Sequence, residues 1–446
     1  MKFVRIFKLL IFSAALIFPQ NNNIIITTID SNFVKSELED SLDKDPRLSI
    51  KFQLKSFDFD STKILYNVIN QSKTVDTLIF NDNKGIRTEI LLKIFKPYLL
   101  FPIDNDLEQI GKDIVMKYDF FYEPPDYELG LINKDTLAAL INFKPEFKSH
   151  YAGIVATDNY DNNLRVNGQF NLRLENYFKG AEHIEFLWSR IDSNSQQIKF
   201  EGLAPHPLGF GLGVFFRYDY ELFMGLFTKV EQKYRLRANS SMFTDIGAGF
   251  VRGFNQPTDS GLQLGYHRLD YYAYTVHIFR NLTNKKFLPD RGSQLIFDLD
   301  GGLDREDYFV NGKFHYERFY PLEKSFFLHY EFDFEGIKYF NSRVPKTRYK
   351  WYGGASSLRG YNEDLFKSTQ YQISSLSFCF KPYERLQIKL FTDFGSDFFH
   401  LYKEGKVGYG FGLAQVNQNS FVVVEYGLSD RYLSNGKLHL KWIANL

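Results

Sequence analysis

The sequence predicts a mainly β chain: a transmembrane antiparallel β-barrel of about 16 strands preceded by a small α+β domain. Three observations predict it. The 446 residues include 47 Phe, 29 Tyr and 3 Trp, so 18% are aromatic, yet 24% are charged and the mean hydropathy is −0.30. Apolar and polar residues alternate from about residue 147 to the end. The alternating segments run to about 10–13 residues, the length of a tilted strand crossing a bilayer. Disorder is excluded, because it goes with few aromatics and low hydrophobicity. A helical membrane bundle needs several apolar runs of about 20 residues, and none follows the first 20 positions.

Taken in order, Lys2, Arg5 and Lys8 precede an apolar stretch from Leu9 to Phe18. This is the pattern of a secretory signal peptide over residues 1–20, too short to span a bilayer as a helix. Loss of those three cations moves the side-chain balance from +1 to −2. A near-neutral chain offers no global case for nucleic acid. The single Cys379 excludes an internal disulfide. Residues 21–73 carry Asn-rich and mixed-charge patches and show no clear period.

Residues 74–146 read as an α+β domain. Val75–Asn81 is an expected strand. Thr88–Leu99 has helical spacing at Ile90, Leu91, Ile94, Phe95 and Tyr98. Asp104 is an expected N-cap for a second helix reaching Tyr118. Phe120–Leu129 and Thr136–Phe143 follow as strands. Period two then takes over. Along Leu164–Glu175, Leu164, Val166, Phe170, Leu172 and Leu174 alternate with Arg165, Asn167, Gln169, Asn171, Arg173 and Glu175. The expected strands are 148–157, 164–176, 181–192, 196–204, 208–221, 225–237, 240–252, 268–281, 292–302, 308–319, 325–336, 370–381, 384–395, 405–416, 419–429 and 436–446. Backbone groups in lipid must all be paired, so such strands must close. The last strand places Leu438, Leu440, Trp442, Ala444 and Leu446 on one apolar face.

The longest gap between strands, 337–369, holds Gly353-Gly354-Ala355-Ser356-Ser357-Leu358-Arg359-Gly360-Tyr361. Glycines permit tight turns, and Arg offers a planar fork suited to a buried carboxylate. By alternation Asp393 shares the lumen face with Lys389. A loop folded back into the barrel would pair Arg359 with Asp393; an exposed loop Arg and an ordinary lumen Asp is the open alternative.

These residues, with Phe391-Thr392-Asp393-Phe394-Gly395, resemble the BamA/TamA-type outer-membrane assembly superfamily, which includes two-partner secretion transporters. Asn176-Tyr177-Phe178-Lys179-Gly180 and Phe287-Leu288-Pro289-Asp290-Arg291-Gly292 agree, and the likeness covers about residues 74–446. The resemblance implies a 16-stranded barrel over 147–446 and a POTRA-like domain over 74–146. It leaves 21–73 as a periplasmic segment with room for a degenerate second POTRA. Gly353, Gly354, Arg359, Gly360 and Tyr361 then match the lumen-loop motif and Asp393 its carboxylate partner. The family often has a second acidic partner on the preceding strand; here Ser377 stands in that place, which implies a weaker, singly anchored loop. The family usually ends in Phe, whereas this chain ends in Leu446.

The implied location is the bacterial outer membrane, with the N-terminal domain in the periplasm. The implied partners are the lipid bilayer, unfolded or secreted client proteins, and periplasmic or lipoprotein subunits. The implied function is insertion, assembly or translocation through a weak seam between the first and last strands, for which Gly427, Gly436 and Asn445 suit a loosened closure. Dedicated secretion of one partner and a passive channel are the alternatives. Catalysis is not expected: the nine His form no HExxH pair, and no GxSxG or Walker loop is present. No cofactor is expected. No metal is expected either, because the lumen-face carboxylates are interleaved with Lys and Arg.

Overall fold

The computed structural model describes residues 25–26, 48–57, 64–72 and 74–445, except 101–106, 134–135, 161–162, 193, 241, 306, 356, 363, 398–404 and 418–419. The expected signal segment, the Asp104 cap and Leu446 lie outside the described residues.

A first sheet is built from β1 (Ile25–Ile26), β2 (Leu48–Phe57) and β3 (Ile64–Ser72), ordered β1-β3-β2. The next elements are β4 (Thr77–Phe80), α1 (Thr88–Ile94), α2 (Pro97–Leu100), α3 (Leu107–Lys117), β5 (Asp126–Asn133) and β6 (Thr136–Asn142), with sheet order β4-β6-β5. The helix expected over 88–99 is two pieces. Pro97 lacks an amide donor and disfavours helical geometry at Lys96, so the first piece stops at Ile94.

The chain packs as two compact units. One holds the described residues within 25–78, 97–107 and 129–139; the other holds those within 79–96, 108–128 and 140–445. In the first, the Leu137 amide donates to Asp76 Oδ2 at 2.7 Å and the Asp76 amide to the Leu137 carbonyl at 2.9 Å. In the second, Ile90, Leu91, Ile94 and Phe95 are buried. The Phe95 ring lies 5.2 Å from Phe143 and 5.7 Å from Phe80.

The second unit is dominated by a closed barrel of sixteen antiparallel strands. They are β7 (His150–Tyr160), β8 (Asn163–Glu175), β9 (His183–Asp192), β10 (Ser195–Ala204), β11 (Gly213–Phe223), β12 (Phe227–Ala238), β13 (Asp245–Pro257), β14 (Leu269–Asn281), β15 (Gly292–Asp304), β16 (Asp307–Glu323), β17 (Phe326–Tyr339), β20 (Gln370–Tyr383), β21 (Leu386–Asp397), β22 (Lys406–Val416), β23 (Ser420–Leu428) and β24 (Lys437–Asn445). A two-stranded ribbon, β18 (Lys350–Tyr352) with β19 (Phe366–Ser368), lies between β17 and β20. β11 begins five residues later than expected, because Pro207–Gly209 forms a 3-10 turn. β13 is shifted toward the C-terminus, because Ser240 and Phe243 close a turn on each other.

The wall is built inside out. On β12, Tyr234 and Leu236 are exposed while Lys233, Arg235 and Arg237 are buried; on β14, Tyr272, Tyr274 and Val276 are exposed while Tyr271, Thr275 and His277 are buried. Exposed apolar surface on this scale needs a cover, and charge buried in a lumen needs partners. Lys233 reaches Asp300 at 3.2 Å, and Arg235 and Arg237 bond Asp298 and Asp245. Leu438, Leu440 and Trp442 of β24 lie on the exposed face.

Closure is uneven. β23 and β24 pair from Ser420↔Ala444 to Gly427↔Lys437, whereas β24 and β7 pair only at Ala444↔Tyr151 and Asn445↔His150 among the described residues.

Candidate functional site

The loop between β17 and β20 returns into the lumen. The reason begins in β22, where Gly408, Gly410 and Gly412 alternate with the exposed Tyr409, Phe411 and Leu413. Between residues 408 and 412 one face of this strand therefore carries no side chains, which leaves a groove in the inner wall. The loop tip fills it. A Cβ on Gly408 would stand 2.0 Å from the Arg359 carbonyl oxygen, and one on Gly427 would stand 2.6 Å from the Gly360 amide nitrogen. Gly360 itself has φ +91° and lies against the Leu428 backbone, so the tip turns where only glycine fits. Gly427 thus makes room for the loop and Gly436 for the Tyr426 ring.

Arg359 is buried with its whole fork engaged. Its backbone amide donates to Asp393 Oδ2 at 3.1 Å, Nε to the same oxygen at 2.8 Å, and Nη2 to Asp393 Oδ1 at 2.5 Å. Nη1 donates to Glu425 Oε1 at 3.3 Å. The guanidinium carbon lies 3.6 Å from the centre of the Phe391 ring, a stacked cation–π contact. Lys389 also bonds Glu425. The register explains how: Lys389 stands opposite Gly412 and Gly412 opposite Glu425, so the lysine crosses a strand that has no side chain in the way.

Ser377 does not serve as the second anchor. It stands opposite Phe391, and Ser375 is the residue opposite Asp393. The second carboxylate comes instead from β23, two strands further round, so the loop is doubly anchored where a weaker lock was expected. Glu425 was missed because a partner was sought only on the preceding strand; the Gly-Tyr-Gly-Phe-Gly run of β22 was the signal that a long side chain could pass it. Gly353 and Gly354 have φ +124° and +94° at the base of the tip. The Gly353 amide donates to Ser357 Oγ at 2.8 Å. Leu358 is fully buried among Tyr352, Tyr371 and Ile373, and Tyr361 packs against this cluster. Tyr361 Oη donates to the Val407 carbonyl at 3.1 Å.

The other end of the barrel is also crowded. Tyr118 Oη and His206 Nε2 lie 2.7 Å apart, and the Arg87 amide donates to the Lys179 carbonyl at 2.8 Å. Residues 117–120 and Tyr122 border a lumen cavity of about 550 Å³ lined by Arg235, Arg237, His277 and Asp298. The 282–291 loop reaches across this end from β14 and β15, which lie opposite the β24–β7 junction in the ring. Lys286 Nζ bonds Glu175 Oε2 at 2.5 Å, and the Phe287 ring lies 5.1 Å from both the Phe421 ring and Lys148 Nζ. Lys381 Nζ donates to the Leu288 carbonyl at 3.2 Å and to Asp290 Oδ2 at 2.6 Å. Burial pushes the Asp290 carboxyl up, but the hydrogen bonds from Lys381 and Asn284 outweigh it and hold the group below its ordinary value.

Residues 145–419 match the Omp85 superfamily domain. Among solved structures, CdiB from Acinetobacter baumannii is similar at TM-score 0.57 and 12% identity, covering 93% of this chain and 81% of that one. CdiB from Escherichia coli is similar at 0.55 and 14%, covering 93% and 83%. BamA from Haemophilus ducreyi lacking POTRA domains 1–3 is similar at 0.50 and 11%, covering 92% and 93%. No match was found among curated protein sequences.

Proposed function

The chain belongs to the Omp85 superfamily, and from that premise we propose that it is a non-catalytic barrel of the bacterial outer membrane that inserts or translocates client polypeptides. The observation that carries this reading is the Arg359 tip, held inside the lumen by Asp393 and Glu425. The β24–β7 junction supplies the moving part. Among the described residues the two edges share only two register pairs, and unpaired strand edges template the addition of another strand. An incoming client strand would pair with them while its apolar face meets lipid. The α+β domain over 74–146 would act as a POTRA in the periplasm, taking client strands along the outer strands of its sheet, β4 and β5. The 21–73 segment would extend it, and periplasmic or lipoprotein subunits would dock on the same side.

Depletion of the protein followed by quantitative outer-membrane proteomics tests the proposal. A fall in several integral barrel proteins is expected. Loss of one secreted protein alone would replace general assembly with dedicated secretion, and an unchanged membrane and secreted proteome would leave a passive channel as the better reading.

A further inference from the structure

The lumen carboxylates are matched by Lys or Arg almost everywhere: Asp300 by Lys233, Glu335 by Lys313, Asp393 by Arg359, and Glu425 by Lys389. On the wall made by β16 and β17, the stretch just beyond the Lys313–Glu335 pair departs from this pattern. Glu317, Glu331 and Asp333 have only histidines within ion-pair distance among the described residues. His315 Nδ1 lies 2.8 Å from Asp333 Oδ1 and 3.9 Å from Glu331 Oε1, and His329 Nε2 lies 3.3 Å from Glu317 Oε2.

Strand register builds the cluster. His315 stands opposite Asp333 and Glu317 directly opposite Glu331. Like charges facing each other across a strand pair are destabilising. Three carboxylates share this partly buried wall, with no Lys or Arg within ion-pair distance of them among the described residues. A cation placed between them removes the conflict, and the donors are arranged for one. His315, Glu331 and Asp333 each offer a ligand atom, and these atoms lie within 4.8 Å of one another. Zinc holds nitrogen and oxygen donors at about 2.0–2.2 Å, which puts tetrahedral donors about 3.4 Å apart. The separations of 2.8 and 3.9 Å bracket that value. Oxygen-only shells suit calcium and magnesium, whereas an imidazole selects for the borderline transition metals.

We propose that His315, Glu331 and Asp333 form a lumen-wall site for one divalent transition-metal ion of the zinc type, with Glu317 as the next donor. The ion cross-links β16 to β17 at the wall. His329 fixes Glu317 from behind: it bonds that carboxylate and stacks on Phe319 at 4.3 Å between ring centres.

The test uses the full chain folded in detergent, stripped with chelator and dialysed against zinc chloride. Elemental analysis and calorimetry are expected to give one zinc per chain, and cobalt in its place is expected to show visible d–d bands. His315→Ala and Asp333→Asn should each weaken binding at least tenfold, while His277→Ala, altered in a different histidine–carboxylate pair, should not. Folding of each variant is read from the mobility shift between unheated and heated gel samples. If His315→Ala fails to fold, the near-isosteric Glu331→Gln carries the test. The absence of stoichiometric zinc in the wild type, tighter calcium than zinc binding, or affinity unchanged in the folded site variants would overturn the site.

Discussion

Arg359 is the residue whose loss should cost most. Asp393 is fully buried and Glu425 nearly so, and removing one partner of such a pair leaves uncompensated charge, at about 3–5 kcal/mol. Arg359→Ala should lower the temperature at which the folded barrel band disappears on gels. Arg359→Lys should recover only part of the loss, because an ammonium cannot reproduce the two-pronged bond to Asp393. Equal melting of wild type and alanine variant would dismiss the lock. At this scale the sequence was half legible. An arginine between Leu358 and Gly360 and a lumen-face Asp393 can be recognised from residue type and alternation. Glu425 cannot, because its role depends on which strand sits two places away and on a glycine face between, and both are set by register.

The strand elements were legible because period two is a direct print of the pleat: each span is apolar on one side and polar on the other. What failed was local. Turn closure at Ser240 and Phe243 moved β13, and Pro97 broke a helix whose apolar spacing ran on past it. No periodicity reveals how many residues two edges share, so the brevity of the β24–β7 pairing had to come from the structure. It makes its own prediction. Tyr151 and Ala444 are register partners, so the double variant Tyr151→Cys/Ala444→Cys should form a disulfide across the junction. Cys379, the natural thiol, is buried and will not compete. Oxidation should block client insertion in reconstituted vesicles and reduction should restore it. Full activity with the junction cross-linked would place the moving part elsewhere.

For the whole molecule, a polar average beside an aromatic excess has one explanation: the exposed face is apolar and the enclosed face is charged. The same arrangement makes the loop a stopper. Excision of residues 350–368, replaced by a short glycine-serine link, should convert a barrel of low conductance in planar bilayers into a wide, steadily open one. An unchanged conductance would mean that the lumen is closed by the 282–291 loop and residues 117–122 instead.

The glycine face of β22 has a consequence for how the molecule comes to exist. Its groove is complete only when β21, β22 and β23 are side by side, and with the tip in place its floor touches the Arg359 and Gly360 backbone. The ion pairs there join residues 34 and 66 positions apart, whereas the final junction joins Tyr151 to Ala444. Loop-closure entropy makes the shorter spans cheaper to form first. The tip is therefore expected to dock onto an open C-terminal sheet before the ends of the barrel meet. A refolding experiment would see Arg359 protected before the two ends of the barrel meet.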